Sequence, residues 1–261
     1  MVIAIIQART GSTRLPGKIF MEFSGKSNLF HVYNRVQKSK KIDNVIIATT
    51  DKKVDDAVFE FCVKEKINCY RGSEDDVLDR FYRCCKPLDL SKKDIIVRIT
   101  ADCPLIDPVI IDEVIAFFEE NQYDYVSNGI EPTYPDGLDV EVFSFYALKK
   151  SWEAAKLLSE REHVTPYIIN NEKLFKIGSY KNNTDLSHFR WTLDEIEDYQ
   201  LIGEIYKNLY SEDKMFTTQD ILSFLNDKPQ LKMINSKYAR NEGYLKSIEE
   251  DKKIESSDLD E

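Results

Sequence analysis

The sequence predicts an α/β fold around a mostly parallel sheet. Short β-branched runs alternate with segments whose apolar positions recur at helical spacing, and turn signals close the runs, so right-handed crossovers join neighbouring strands. At 261 residues the chain is long for one domain and short for two, and with 42% hydrophobic residues, 14 Phe and 14 Tyr it has the composition of a packed globule. One large domain over 1–245 is therefore expected, with the remainder outside it.

Residues 2–8 read as a buried strand, because a continuous apolar run ends at a turn signal. NLFHVYNRVQKSK follows with helical spacing, and NVIIAT is the next strand. Asp51 is placed to cap the helix KKVDDAVFEFCVKEK. INCY reads as a third strand, DDVLDRFYRCC as a helix and DIIVRIT as a fourth strand. The pattern then changes. A helix over 108–121 and the strand YDYVSN lead into 129–137, which holds two prolines and two glycines, before DVEVF resumes strand character. This predicts an insertion or β-hairpin beside the sheet. Helices over 145–157 and 161–170, short strands over 175–180 and 188–193, and helices from Ile196 and Thr218 complete the domain. Residues 246–261 are acidic and poor in apolar side chains, as expected of a disordered tail.

Charge and cysteine usage exclude several classes of function. A net charge of −10 opposes binding to a nucleic-acid polymer, which needs an excess of cations to displace counterions. Five cysteines without CxxC spacing suggest neither a disulfide framework nor a zinc ribbon, so a cytoplasmic setting is expected. The apolar run at the start is five residues long, and nothing later approaches membrane-spanning length, so no membrane association is expected.

QARTGSTRLPGK follows the first strand, where an open α/β sheet usually cradles phosphate. Its glycines allow backbone amides to approach an anion and Arg9, Arg14 and Lys18 neutralise it, so a polyphosphate suits Gln7, Ala8, Arg9, Thr10, Gly11, Arg14 and Lys18 better than a solvated basic turn would. Five residues separate Gly11 from Gly17 and isoleucine follows Lys18, which excludes the ATPase loop; a GxGxxG fingerprint is also absent.

IIQARTGSTRLPGK, TADCPLIDP, YPDGLDVEVF, REHVTPYI and RWTLDEIEDY, in that order, resemble the motifs of the cytidylyltransferases that include sugar-acid activating enzymes and spore-coat polysaccharide biosynthesis proteins. The resemblance implies a doubly wound sheet of the nucleotide-diphospho-sugar transferase type. It also implies Mg²⁺-dependent transfer of CMP from CTP to a small acceptor, with release of pyrophosphate, in surface polysaccharide biosynthesis. Relatives often form homodimers, so a homodimer is one expected state.

Alternation along DIIVRITAD puts Arg98 and Asp102 on one side of the strand, with Asp102 just past its end. Left to the residues alone, Asp102 is equally a turn residue before Pro104, and Asp194 before EIEDYQLIGEIY reads first as a helix N-cap. The resemblance makes Asp102 and Asp194 the two metal ligands, a set that suits Mg²⁺ because phosphate oxygens and waters complete its shell. Arg9, Lys18 and Asp102 are then the expected catalytic groups.

Residues 1–107 form the nucleotide-binding part in this reading, and 108–245 carry the acceptor and the second metal ligand. Arg71 and Ser73 follow the third strand where the family binds its base, and Asp79 and Arg80 resemble an Asp-Arg pair of the sugar-acid branch. The alternative is that Asp75 and Asp76 cap the helix while Asp79, Arg80 and Arg83 form solvated pairs. Asp136, Asp139 and Glu141 are expected to bind acceptor hydroxyls or a second metal, and Arg161, His163 and Arg190 an acceptor carboxylate or phosphate. Two other functions fit the same residues less well: a glycosyltransferase of similar fold, whose usual Asp-x-Asp signature is missing at Asp102, and a non-catalytic nucleotide-binding subunit.

Overall fold

The computed structural model describes residues 1–240, 247–248 and 250–252. In chain order its elements begin with β1 (Val2–Gln7), β2 (Glu22–Phe23), β3 (Lys26–Ser27), α1 (Asn28–Gln37), β4 (Asn44–Thr50), α2 (Asp56–Glu65), β5 (Asn68–Gly72), α3 (Val77–Cys85) and β6 (Ile95–Thr100). They continue with α4 (Pro108–Asn121), β7 (Tyr125–Ser127), β8 (Glu141–Ser144), α5 (Phe145–Ala154), α6 (Leu158–His163), α7 (Pro166–Ile169), β9 (Ile177–Ser179), α8 (Ile196–Leu209) and α9 (Thr218–Asp227).

Seven strands form one sheet in the order β5-β4-β1-β6-β8-β7-β9, and β2 and β3 form a separate pair. β1 pairs in parallel with β4 and β6, so the alternating β/α units of the first hundred residues make the parallel sheet that the sequence predicts. Side chains of β1 leave by turns to the two faces. Val2, Ala4 and Ile6 join a core built with α1, α2, α4, α8 and α9, whereas Ile3 and Ile5 join one built with α3 and α5. Helices cover both faces, which explains why VIAII is continuously apolar.

The hairpin is not beside the sheet but within it. β8 runs antiparallel to both β6 and β7, with Val97 and Val126 each opposite Val142, so the chain returns from 128–140 to fill the place next to β6. Three other expectations change. Residues 161–170 are not one helix: Val164 adopts φ 73, and Pro166, which lacks an N–H, begins the new helix α7. Residues 188–193 form no strand; their one sheet-like contact is a bridge between Arg190 and Asp136. Asp51 does not cap α2, because a 3₁₀ turn over Lys53–Asp55 intervenes and puts Asp55 at the helix start.

Of the acidic segment, residues 246, 249 and 253–261 lie outside the described residues. Ser247 and Asp251 are buried and do not behave as a solvated tail. Asp251 accepts a hydrogen bond from the Ser159 N–H of α6 at 3.2 Å, and Ser247 donates to Glu162 at 2.8 Å.

Candidate active site

The basic loop hangs from Thr10. The backbone N–H and hydroxyl of Thr10 both donate to Asp55 Oδ1 at 2.7 Å, and its carbonyl accepts from the N–H groups of Ser12 at 2.9 Å and Gly17 at 3.2 Å. Asp55 is buried and also bonds the Thr50 hydroxyl, so a carboxylate from the β4–α2 connection fixes the neck of a loop that starts at β1. Gly17 then takes φ 70, a conformation that suits a residue without a Cβ, and a 3₁₀ turn over Lys18–Phe20 carries Lys18 inward.

Lys18 Nζ lies between two carboxylates, 2.7 Å from Asp102 Oδ2 and 2.6 Å from Asp194 Oδ1. Burial opposes charge on Asp102, yet attraction to Lys18 holds its carboxyl well below its ordinary range. Against the same burial, Asp102 and Asp194 raise the pKa of Lys18. Arg14 reaches the other oxygen of Asp194 at 2.9 Å, and Arg190 lies 3.4 Å from it. Asp194 does not cap α8. The carboxylate of Asp198 accepts from the N–H groups of Asp194 and Glu195, each at 2.9 Å, and leaves the Asp194 side chain to face the loop. Asp102 is held through its backbone, its carbonyl accepting from Leu193 N–H at 2.8 Å.

Two carboxylate oxygens that converge on one ammonium can also converge on a small divalent cation. Among the described residues no group of three or more His, Cys, Asp or Glu side chains is arranged to hold a metal, so the protein offers two acidic ligands and leaves most of a six-oxygen shell to phosphate and water. That donor set fits Mg²⁺.

Beyond this pair opens a cavity of about 510 Å³ whose lining includes Arg98, Tyr125, Asp136, Asp139, Glu141, His163 and Arg190. Arg98 donates to Glu141 at 2.7 Å and to Gln7 at 3.3 Å, and Thr165 donates to the second oxygen of Glu141 at 3.2 Å. Asp136 lies 3.1 Å from Arg190 and Asp139 pairs with Arg240. Burial and the charge of Asp139 push the Asp136 carboxyl up to about 7, although Arg240 and Arg190 pull the other way. Burial, helped by Arg98, lowers the pKa of His163, which bonds Ser247 at 2.9 Å.

The expected residues thus divide. Arg14, Asp102, Asp194, Asp136, Asp139, Glu141, His163 and Arg190 line one cavity, and Lys18 joins Asp102 to Asp194. Arg161 does not line it; both edges of its guanidinium are taken, by Asp76 at the start of α3 and by the Trp152 carbonyl at 3.0 Å. Arg71 is turned toward the β4–α2 connection, where it donates to the Thr50 and Lys52 carbonyls at 3.0 Å and pairs with Asp56 at 2.7 Å. Ser73 accepts from Asp76 N–H at 3.0 Å, and Asp76 caps α3 by accepting from Asp79 N–H at 2.8 Å. Asp79 accepts from Arg83 and from Trp152 Nε1 at 2.8 Å. Arg80 is the exception in this group, because it is wholly buried instead of forming a solvated pair. Gln7 ends β1 and Ala8 follows it, and Arg9 lies 3.7 Å from Glu74 beside Gly11.

Arg98, Asp198 and Arg240 are the site residues that sequence reasoning missed. Arg98 had a signal, since alternation puts it on the side of Asp102. Asp198 had one too, standing four residues after Asp194 at helical spacing. Arg240 had none, because only tertiary folding brings it to Asp139.

A family model described as cytidylyltransferase matches residues 3–246. The chain is 34% identical over 237 residues to a spore coat polysaccharide biosynthesis protein of Bacillus subtilis, covering 87% of this chain and 95% of that one. It is 33% identical over 132 residues to an 8-amino-3,8-dideoxy-manno-octulosonate cytidylyltransferase of Shewanella frigidimarina, covering 50% of this chain and 53% of the relative. Among solved structures, a cytidylyltransferase from Leptospira borgpetersenii superposes with a TM-score of 0.82 at 36% identity, covering 88% of this chain and 96% of that one.

Proposed function

The chain belongs to the cytidylyltransferase family, and from that premise we propose that it transfers CMP from CTP to a small anionic acceptor, a sugar acid or a phosphorylated sugar or polyol, in surface polysaccharide biosynthesis. The observation that carries the reading is Lys18 lodged between Asp102 and Asp194 where the basic loop meets the cavity. Polyphosphate on the loop brings its α-phosphorus to the cavity, and an acceptor in the cavity faces it. The acceptor oxygen bonds to that phosphorus as the bond to the bridging oxygen breaks, and pyrophosphate leaves.

This reaction needs positioning and charge neutralisation more than a protein nucleophile. Arg9, Arg14 and Lys18 supply cations to the triphosphate, and the best use of Lys18 is near the α- and β-phosphates, where charge builds as pyrophosphate departs. Asp102 and Asp194 are the residues that would hold Mg²⁺, which would supply charge neutralisation to phosphate oxygens when bound. In the cavity, Arg98 and Arg190 offer charge-assisted contacts to an acceptor anion, while Asp136, Asp139 and Glu141 suit its hydroxyls. A relative named for a sugar-acid acceptor supports that class. Five free cysteines agree with a cytoplasmic enzyme.

A nucleotide panel crossed with carboxylated and phosphorylated acceptors tests the reading, with pyrophosphate and product mass measured together. CTP-dependent pyrophosphate release with an acceptor heavier by one CMP is the expected result. Release of nucleoside diphosphate from nucleotide-sugars would replace it with glycosyl transfer, and activity confined to uncharged acceptors would remove the anionic class.

A further inference from the structure

His163 ends α6 and lines the cavity, and two neighbouring side chains fix which of its ring nitrogens carries a proton. A carboxylate only accepts hydrogen bonds, so the single hydroxyl proton of Ser247 goes to Glu162 Oε2, 2.8 Å away. The Ser247 oxygen also lies 2.9 Å from His163 Nε2 and has only lone pairs to offer it. Nε2 is therefore the protonated nitrogen, and the lone pair of the ring belongs to Nδ1. Burial and the charge of Arg98, joined by Arg9, lower the pKa of the imidazole, against Glu162 and Asp251, so the ring is uncharged at physiological pH.

The backbone beside it is strained. Val164 is buried and β-branched, yet it stands at φ 73 and ψ −51, and the Thr165 N–H donates back to the His163 carbonyl at 2.8 Å. This is a γ-turn of the rare, strained kind, in a region that branched side chains avoid. Its two ends, His163 and Thr165, both line the cavity, and Thr165 is tied there to Glu141 at 3.2 Å. Residues two apart on a continuing helix would leave on different faces, so the turn is what brings both to one site. Arg9 belongs to the basic loop and Arg98 bonds Gln7 where that loop begins, so the cations that act on the imidazole place it within electrostatic range of the loop that receives phosphate.

We propose that His163 Nδ1 is the base that takes the proton of the attacking acceptor hydroxyl, with Ser247 and Glu162 as positioning residues that hold the ring in that tautomer. The inference rests on transfer of CMP to a hydroxyl acceptor. The acceptor oxygen bonds to the α-phosphorus as its proton passes to Nδ1, and pyrophosphate leaves with the electron pair of the bond that breaks. The imidazolium then holds a proton on each nitrogen, with the Glu162 carboxylate 3.7 Å from Nε2 to balance its charge. Loss of the Nδ1 proton to water restores the base. An uncharged imidazole suits a hydroxyl and not the acceptor's anionic group, so this role replaces the anion contact expected of His163.

Nitrogen NMR of the wild-type protein labelled in its three histidines reads the tautomer directly, with His163 identified by elimination through His31→Leu and His188→Gln. His163 should show a protonated Nε2 and an unprotonated Nδ1, and Ser247→Ala should shift the ring toward the other tautomer. Glutamine can place an amide N–H near the position of Nε2 but has no basic nitrogen. His163→Gln should therefore keep the fold and lose about 10² or more in kcat, measured as pyrophosphate release, with little change in either KM. Added imidazole should restore part of the turnover of His163→Ala. The proposal is overturned if Nδ1 carries the proton in the wild type, if His163→Gln keeps near-normal kcat, or if its loss lies only in acceptor KM. An unchanged tautomer in Ser247→Ala would remove the part given to Ser247 and Glu162. Should the His163 variants not fold, the wild-type tautomer decides alone. A wild type that transfers no CMP to any hydroxyl acceptor would instead remove the reading on which the inference stands.

Discussion

Asp102 and Asp194 approach one ammonium from separate parts of the chain, and each is held there by backbone contacts that an amide would leave in place. Asp102→Asn and Asp194→Asn should therefore keep the fold and lose about 10² or more in turnover, measured as pyrophosphate release against Mg²⁺ concentration. Near-normal turnover at limiting Mg²⁺ would return either residue to a turn or loop role. Arg190 should behave differently. It is bound to Asp136, Asp194 and the wholly buried Asp198, so Arg190→Ala strands buried carboxylates and should cost about 3 kcal/mol or more in thermal or denaturant unfolding. That the loop, Asp102 and Asp194 share one site was legible because their motifs follow the order of the family they resemble. The partners of Arg71 and Arg161 were not, since Asp56 and Asp76 compete for those cations only after α2 and α3 have docked.

Gly137 shows how a single element junction can decide a site. It stands at φ 101 with Trp191 and Thr192 against it, so an added Cβ would lie 2.5 Å from the backbone of both. Gly137→Ala should cost about 2 kcal/mol or more and separate Asp136 from Arg190, which a fall in melting temperature and weaker acceptor binding would report. On α1, burial holds the His31 imidazole down to about 4 from 6.5, opposed by the hydrogen bond it donates to the Phe23 carbonyl. The unfolded chain takes up this proton first. Stability is thus fully present above pH 6.5 and is lost as the pH falls toward about 4, by on the order of 3 kcal/mol. Melting temperatures across that window should fall in the wild type and flatten in His31→Leu. Periodicity revealed these helices and strands well where both faces of the sheet are covered. It failed over 161–170 and 188–193, where Val164 at φ 73 and one bridge to Asp136 replace regular structure.

At the scale of the molecule, the reversed strand β8 divides the sheet into a parallel part that carries the loop and a smaller part that helps to wall the cavity. The last described residues bond α6 through Ser247 and Asp251, contacts that a chain ended at residue 240 should lose. Acceptor KM should then rise more than CTP KM, and equal changes in both would assign the segment to general stability. Lys18 has a consequence for the order of events. Its ammonium already neutralises the pair of aspartates that a divalent ion would use, so a lone Mg²⁺ gains little by entering and must evict a well-placed cation. The incoming triphosphate gives that cation somewhere else to go. Calorimetric titration of the free enzyme with Mg²⁺ should show weak association, and the same titration with CTP present should show much tighter association, because a triphosphate that draws Lys18 to itself would leave Asp102 and Asp194 open to the ion.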